Sequence, residues 1–224
     1  MSNIFSIAID GPAGAGKSTV AKAVAKETGA MYLDTGAMYR TVGLYFTRKD
    51  LVKDTEAVAR LAHDMDIGVK FEDGVQRMYL DGEDVTDLIR SPEASMAASA
   101  VSAVPEVRKR LVRLQQETAK GVSIVMDGRD IGTVVLPDAT LKLFVTATAE
   151  ARALRRYADL RKAGLLPKFH DVLDELVERD YNDSNRSATP LRRAEDAYLL
   201  DTTNMTITQV VNEVKRLLKD AIGG

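Results

Sequence analysis

Between an apolar run, Ile4-Phe5-Ser6-Ile7-Ala8-Ile9, and a helix-forming run from Thr19 stands Gly11-Pro12-Ala13-Gly14-Ala15-Gly16-Lys17-Ser18, a complete G-x-x-x-x-G-K-[ST] phosphate loop. The motif requires a strand before it and a helix after it. Only then do successive backbone N–H groups turn inward onto phosphate oxygens, with the positive end of the helix behind them. In that setting Lys17 bridges the β and γ phosphates of a nucleoside triphosphate, and Ser18 holds Mg²⁺ through its hydroxyl. Thr19 is a second hydroxyl close by.

The pattern beyond the loop extends the same architecture. Val20, Ala21, Val24 and Ala25 recur at helical spacing, and Thr28-Gly29 supplies a stop. Apolar runs at 4–9, 31–33, 122–126, 141–145 and 197–200 alternate with helical patterns, which predicts five parallel strands covered by helices on both faces. Asp34-Thr35-Gly36 stands where it can cap a helix from Ala37 to about Thr47. Asp73-Gly74 and Asp81-Gly82 are hairpin turns. They predict a small antiparallel sheet inserted within about 62–104. Pro105 opens a helix carrying Val107, Leu111 and Leu114, and Val210, Val211, Val214, Leu217 and Leu218 form the stripe of the last helix.

Composition narrows the chemistry. With 224 residues the chain suits one α/β folding unit with embellishments. Its 31 basic and 33 acidic residues give a net charge of -2, so nothing global points to nucleic acid or an anionic membrane. There is no cysteine, which excludes disulfides and thiolate catalysis and fits a reducing, cytoplasmic setting. No secretory signal is read at the start, and no apolar stretch reaches the ~20 residues that cross a bilayer. His63 and His170 read as surface residues, and Tyr32, Tyr39, Tyr45 and Phe46 as packing residues.

Asp127 follows a hydrophobic strand, where phosphate-loop proteins place a carboxylate that orients the Mg²⁺ shell, and Arg129 and Asp130 follow it directly. From Arg152 to Arg193 lie eight arginines, among them Arg155, Arg156, Arg161, Arg179, Arg186 and Arg192. About half read as a solvated helix face. The remainder suit crowded phosphates, because guanidinium forks bind them bidentately and stay charged. Together with the loop they point to phosphoryl transfer onto an acceptor that itself carries phosphate. A kinase for another small acceptor, such as UMP, AMP or a sugar acid, and a nucleotide-dependent switch or assembly ATPase are the alternatives.

Four segments, in this order and with the hairpin insertion between them, resemble the bacterial cytidylate kinases of the nucleoside monophosphate kinase group. They are Ile9 to Ser18, Leu33-Asp-Thr-Gly-Ala-Met-Tyr-Arg40, Asp127-Gly-Arg-Asp-Ile-Gly-Thr-Val-Val135 and Arg179-Asp-Tyr-Asn-Asp-Ser-Asn-Arg186. The resemblance implies a phosphate-loop α/β/α fold acting on ATP with CMP or dCMP, with Mg²⁺; a monomer is the default expectation, with a dimer not excluded by the sequence. It implies that Gly11 through Thr19 bind ATP, and that Lys17, Asp127, Arg129 and Arg186 serve the transfer. Thr35 and Asp183 would meet the ribose, while Arg40, Arg129 and Arg186 surround the monophosphate. Ser99, Arg108 and Asp130 would face the cytosine. A lid at about 150–170, tipped by Gly164 and Pro167, would bring Arg152, Arg155 or Arg156 onto the triphosphate, Arg156 being the one assigned to ATP. The position of Thr35 is often serine in this family.

Overall fold

In the computed structural model, which describes residues 4–186 and 188–223, Ser6–Asp10 forms strand β1, with Ile7, Ala8 and Ile9 wholly buried. The phosphate loop joins it to helix α1 (Lys17–Thr28). Gly29 at φ +70° ends that helix, as a left-handed residue beyond a last turn should. Then follow β2 (Met31–Asp34), α2 (Thr35–Arg48) and the short α3 (Thr55–Leu61). The hairpin strands are β3 (Ile67–Glu72), β4 (Val75–Leu80) and β5 (Glu83–Asp84). After a 3₁₀ turn at Leu88–Arg90 come α4 (Pro92–Val101) and α5 (Pro105–Ala119).

Strand β6 (Ile124–Gly128) leads into a π-turn at Ile131–Val135, then β7 (Leu141–Thr146), α6 (Ala149–Lys162), α7 (Phe169–Asn185), β8 (Tyr198–Asp201) and α8 (Ile207–Ala221). The main sheet has five strands in the order β2-β6-β1-β7-β8. All five strands expected from the sequence are in it, with ends moved by one or two residues. β1 is flanked by parallel β6 and β7, so that Ile9 stands beside Asp127, and Asp10 beside both Gly128 and Phe144. In an open α/β sheet, ligands bind beyond the carboxyl ends of such strands.

By its contacts the chain divides into two compact units, Met1–Ala30 with Val122–Gly224, and Met31–Gly121. The insertion expected at 62–104 lies inside the second, whose bounds are wider. In the first unit α1 packs against β6 and α8. The five stripe residues of α8 are all buried, and Thr206 and Gln209 close a capping box at its start. Helices α6 and α7 enclose Ala153, Val172 and Leu176, and Ala13 of the phosphate loop packs into the same cluster.

In the second unit the three-stranded sheet turns at Asp73-Gly74 and Asp81-Gly82, where all four residues have positive φ. Helix α2 is capped by Asp34, whose side chain accepts from the Ala37 N–H at 2.9 Å. It lies so close to α4 that a methyl group built on Gly43 would stand 2.8 Å from the backbone nitrogen of Ala98. The Arg110 guanidinium donates to the carbonyls of Ala62 (3.0 Å) and Met65, holding α5 against the end of α3. Tyr45 and Phe46 stack edge to face and are buried, as packing residues should be.

Candidate active site

Gly11, Gly14 and Gly16 have φ of +144°, +73° and +88°, which turns the backbone between β1 and α1 into a cradle of inward amides. At Gly11 the requirement is absolute. A Cβ there would stand 1.9 Å from the Val145 carbonyl oxygen of the neighbouring strand. Gly16 is the N-cap of α1 and offers no side chain to its first amides. Those amides are therefore left for an anion.

A loop whose N–H groups face inward turns its carbonyls outward, and each of these needs a donor. Lys17 Nζ donates to Pro12 O at 2.8 Å, and Arg152 Nη1 to Ala13 O at 3.0 Å. Arg155 Nη1 reaches Ala15 O at 3.4 Å, beside the buried Thr202, whose Oγ1 lies 3.3 Å from the same oxygen. Arg152 is further fixed by Ala147 O (2.9 Å) and Asp180 (2.6 Å), and Arg155 by Thr202 O (2.6 Å). Of the three arginines expected on the triphosphate, Arg152 and Arg155 are thus tied to the loop's backbone. Arg156 makes neither contact.

Charge converges on the loop from β6 and α7. The Ser18 hydroxyl donates to Asp127 Oδ2 at 2.7 Å. A hydroxyl and a carboxylate held together are the hard oxygen donors that Mg²⁺ prefers, so this pair fits that ion. Arg129 and Asp183 are joined by a 2.7 Å ion pair, with Arg186 Nη1 3.9 Å from the other oxygen of Asp183. Burial alone would lower the Arg129 pKa and raise that of Asp183, but mutual attraction reverses both. Lys17 is lowered to about 7 by burial, with repulsion from Arg129 and Arg179 adding and Asp127 opposing.

Arg179, which the sequence places in a motif without giving it a role, thus stands close enough for its charge to act on both Lys17 and Asp183. Asp10 was also missed. Its carboxylate accepts from the backbone N–H groups of Ile131 (2.8 Å) and Gly132 (2.7 Å). Only its position, one residue before the loop, could have drawn attention to it.

The candidates of the second unit form their own group. Thr35 is buried at the start of α2, and Arg40, a turn later, pairs with Asp34 at 2.9 Å. Gln76 on β4 holds Asp34 by both backbone groups, accepting from its N–H at 2.7 Å and donating to its carbonyl at 3.2 Å. Arg108 on α5 is buried, donates to Ser102 O at 3.2 Å, and lies over the Tyr39 ring at 5.4 Å. Tyr39, expected only to pack, thus also orients a cation. Ser99 stands on α4, half-buried, and its carbonyl accepts from the Ser102 hydroxyl. His63 and His170 are exposed, and among the described residues no group of three His, Cys, Asp or Glu could hold a metal.

Comparison with known proteins agrees with this geometry. The family model for cytidylate kinase matches residues 7–220. The cytidylate kinase of Caldicellulosiruptor saccharolyticus is 50% identical over 220 residues, covering 98% of this chain and 97% of that one. The cytidylate kinase of Mycolicibacterium paratuberculosis is 49% identical over 221 residues, with coverage of 98% and 97%. Among solved structures, an uncharacterized protein from Eubacterium ventriosum aligns over 97% of this chain and 99% of its own with a TM-score of 0.52, at 13% identity. That last likeness speaks to the fold alone.

Proposed function

Since this chain belongs to the cytidylate kinase family and is a kinase, we propose that it transfers the γ-phosphoryl group of ATP to CMP and dCMP, forming ADP with CDP or dCDP. The observation that carries the reading is the gathering of Lys17, Arg129 and Arg179 beside the Asp127–Ser18 pair at the phosphate loop. Hydrolysis needs fewer cations. Bringing a second phosphate up to a triphosphate needs positive charge between them.

An oxygen of the acceptor phosphate attacks the γ-phosphorus in line, and the bond to the β,γ-bridging oxygen breaks as ADP leaves. No protein nucleophile is required. Gly11 through Thr19 hold ATP, with Lys17 along the β and γ phosphates and Arg156 as the remaining lid arginine. Ser18 would hold Mg²⁺ and Asp127 would orient its shell; when bound, the ion would neutralise phosphate charge. Arg40, Arg129 and Arg186 receive the acceptor phosphate, and Thr35 and Asp183 the ribose. Asp183 is already committed to Arg129, so one of its roles in this reading is to aim that guanidinium.

For the base, Asp130 accepts from the N4 amino group of cytosine while Arg108 donates to its acceptor edge, with Ser99 alongside. Uracil would set a carbonyl against the Asp130 carboxylate, a mismatch that rejects it strongly. Every residue invoked lies on one chain, and a cytoplasmic monomer is the proposed form. No helix among the described residues is long and apolar enough to cross a membrane.

The test is ADP formation from MgATP with CMP, dCMP, UMP, AMP, GMP or no acceptor. Strong turnover confined to the cytosine nucleotides is expected. Equal ADP release with and without acceptor would overturn the reading and favour a switch or assembly ATPase.

A further inference from the structure

Asp10 takes no part in the reaction just described, yet it is 4% exposed and stands at the carboxyl end of the central strand, in register with Gly128 on one side and Phe144 on the other. A buried carboxylate is costly unless its oxygens are satisfied. Here both are, by consecutive amides at the mouth of the π-turn, Ile131 at 2.8 Å and Gly132 at 2.7 Å. The first amides of a helical turn have no carbonyl partner within it, and the residue at the cap normally supplies one from its own side chain. That residue is Asp130, an excellent cap by type, but its side chain makes no cap bond. Asp10 caps the turn in its place, from another strand.

We propose that Asp10 is a positioning residue for acceptor recognition: by capping the 131–135 turn it keeps the Asp130 carboxylate off its own backbone and fixes Arg129 toward the acceptor phosphate and Asp130 toward the cytosine. The inference rests on the assignment of those two residues to CMP. The Asp130 charge repels that of Asp10. Burial pushes the Asp10 carboxyl up to about 6, against the pull of its two amide donors, with Asp130 adding and Lys17 opposing. Lys142 stands on the far side of the turn. A methyl group built on Gly132 would lie 3.3 Å from Lys142 Cδ and 3.4 Å from Asp10 Oδ2, and the Lys142 ammonium pairs with Asp196 at 2.7 Å. The clasp is therefore tight from both sides.

Two variants test it in the full-length protein, Asp10→Asn and Gly132→Ala. Asparagine offers one acceptor where two are needed and sets an N–H₂ group against the second amide. Gly132→Ala leaves the Asp10 carboxylate intact and strains the same contact, which preserves the test if the first variant unfolds. For Asp10→Asn, losing one charge-assisted hydrogen bond corresponds to a rise in KM for CMP of roughly tenfold or more. The ratio of kcat/KM between CMP and UMP narrows by a similar factor, and ATP affinity, measured by calorimetry without acceptor, stays within about twofold. Gly132→Ala shifts the same quantities in the same direction by less. A purely structural role would move ATP and CMP together, and that outcome overturns the proposal, as does an unchanged KM and selectivity in both variants. If the wild-type protein itself shows no preference for CMP, the functional reading fails first, before either variant is made.

Discussion

Replacing Lys17 with methionine should end turnover and yet make the protein more stable. The Lys17 ammonium is buried, and its pKa falls from 10.5 to about 7, first through burial and then through repulsion by Arg129 and Arg179. At about 1.4 kcal/mol per unit, this gap corresponds to about 5 kcal/mol held against the folded state. The cost stands in full below pH 7, where the ammonium is charged in both folded and unfolded chains. Between pH 7 and 10.5 the unfolded chain holds a proton that the folded protein has released, so stability climbs with pH. Methionine is of similar length and removes the charge, but it strips Pro12 O of its 2.8 Å donor, a loss of about 2 kcal/mol. The net gain at pH 6 should then be about 3 kcal/mol, shrinking to nothing near pH 9. Urea titrations of both proteins from pH 6 to 9 measure it, alongside ADP formation, which should fall at least about 100-fold. Stability curves that run parallel across this range, or a variant weaker than wild type at pH 6, would refute the reasoning.

Two further substitutions probe the framework. Asp183→Asn leaves the Arg129 guanidinium, only 18% exposed, without its 2.7 Å counter-charge and should cost about 3–5 kcal/mol in urea titration at pH 7; a loss below about 1 kcal/mol would mean that other groups neutralise Arg129. Gly43→Ala should lower the melting temperature despite the better helix propensity of alanine. Its Cβ would meet the Ala98 nitrogen at 2.8 Å and Ala97 Cβ at 2.9 Å, and overpacking of this kind costs about 1–3 kcal/mol. A higher melting temperature would show that α4 can shift without penalty.

The sequence carried most of the fold because its signals were local. The phosphate loop, the two Asp-Gly turns and the stripe of α8 each declare themselves within a few residues, and all three stand where they were expected. Helix α3, only Thr55–Leu61, is too short for a periodic signal. Helix α4 hid because its stripe, Ala94, Ala97, Ala98 and Val101, is built of small residues where α2 lies against it, and small residues on its other faces give that stripe little contrast. The π-turn depends on Asp10, more than 120 residues earlier, and long-range clasps leave no mark in local pattern. For the site, residue types were legible and partners were not. Nothing in a run of arginines tells a guanidinium that reaches a carbonyl, as Arg152 and Arg155 do here, from one that does not.

That fastening also fixes where α6 can be cut. Through Arg152, Arg155 and the packing of Ala13 against Ala153, the first two turns of this helix are anchored to the ATP-binding backbone. A swing beginning at residue 150 would tear two carbonyl contacts from the loop that has to keep its shape. The hinge of any closing segment must lie beyond Arg155, with Gly164 at φ +81° near its far end. Chimaeras that exchange this segment between relatives should therefore be joined after Arg155. A junction placed before Arg152 would import foreign anchors for a cradle they do not fit.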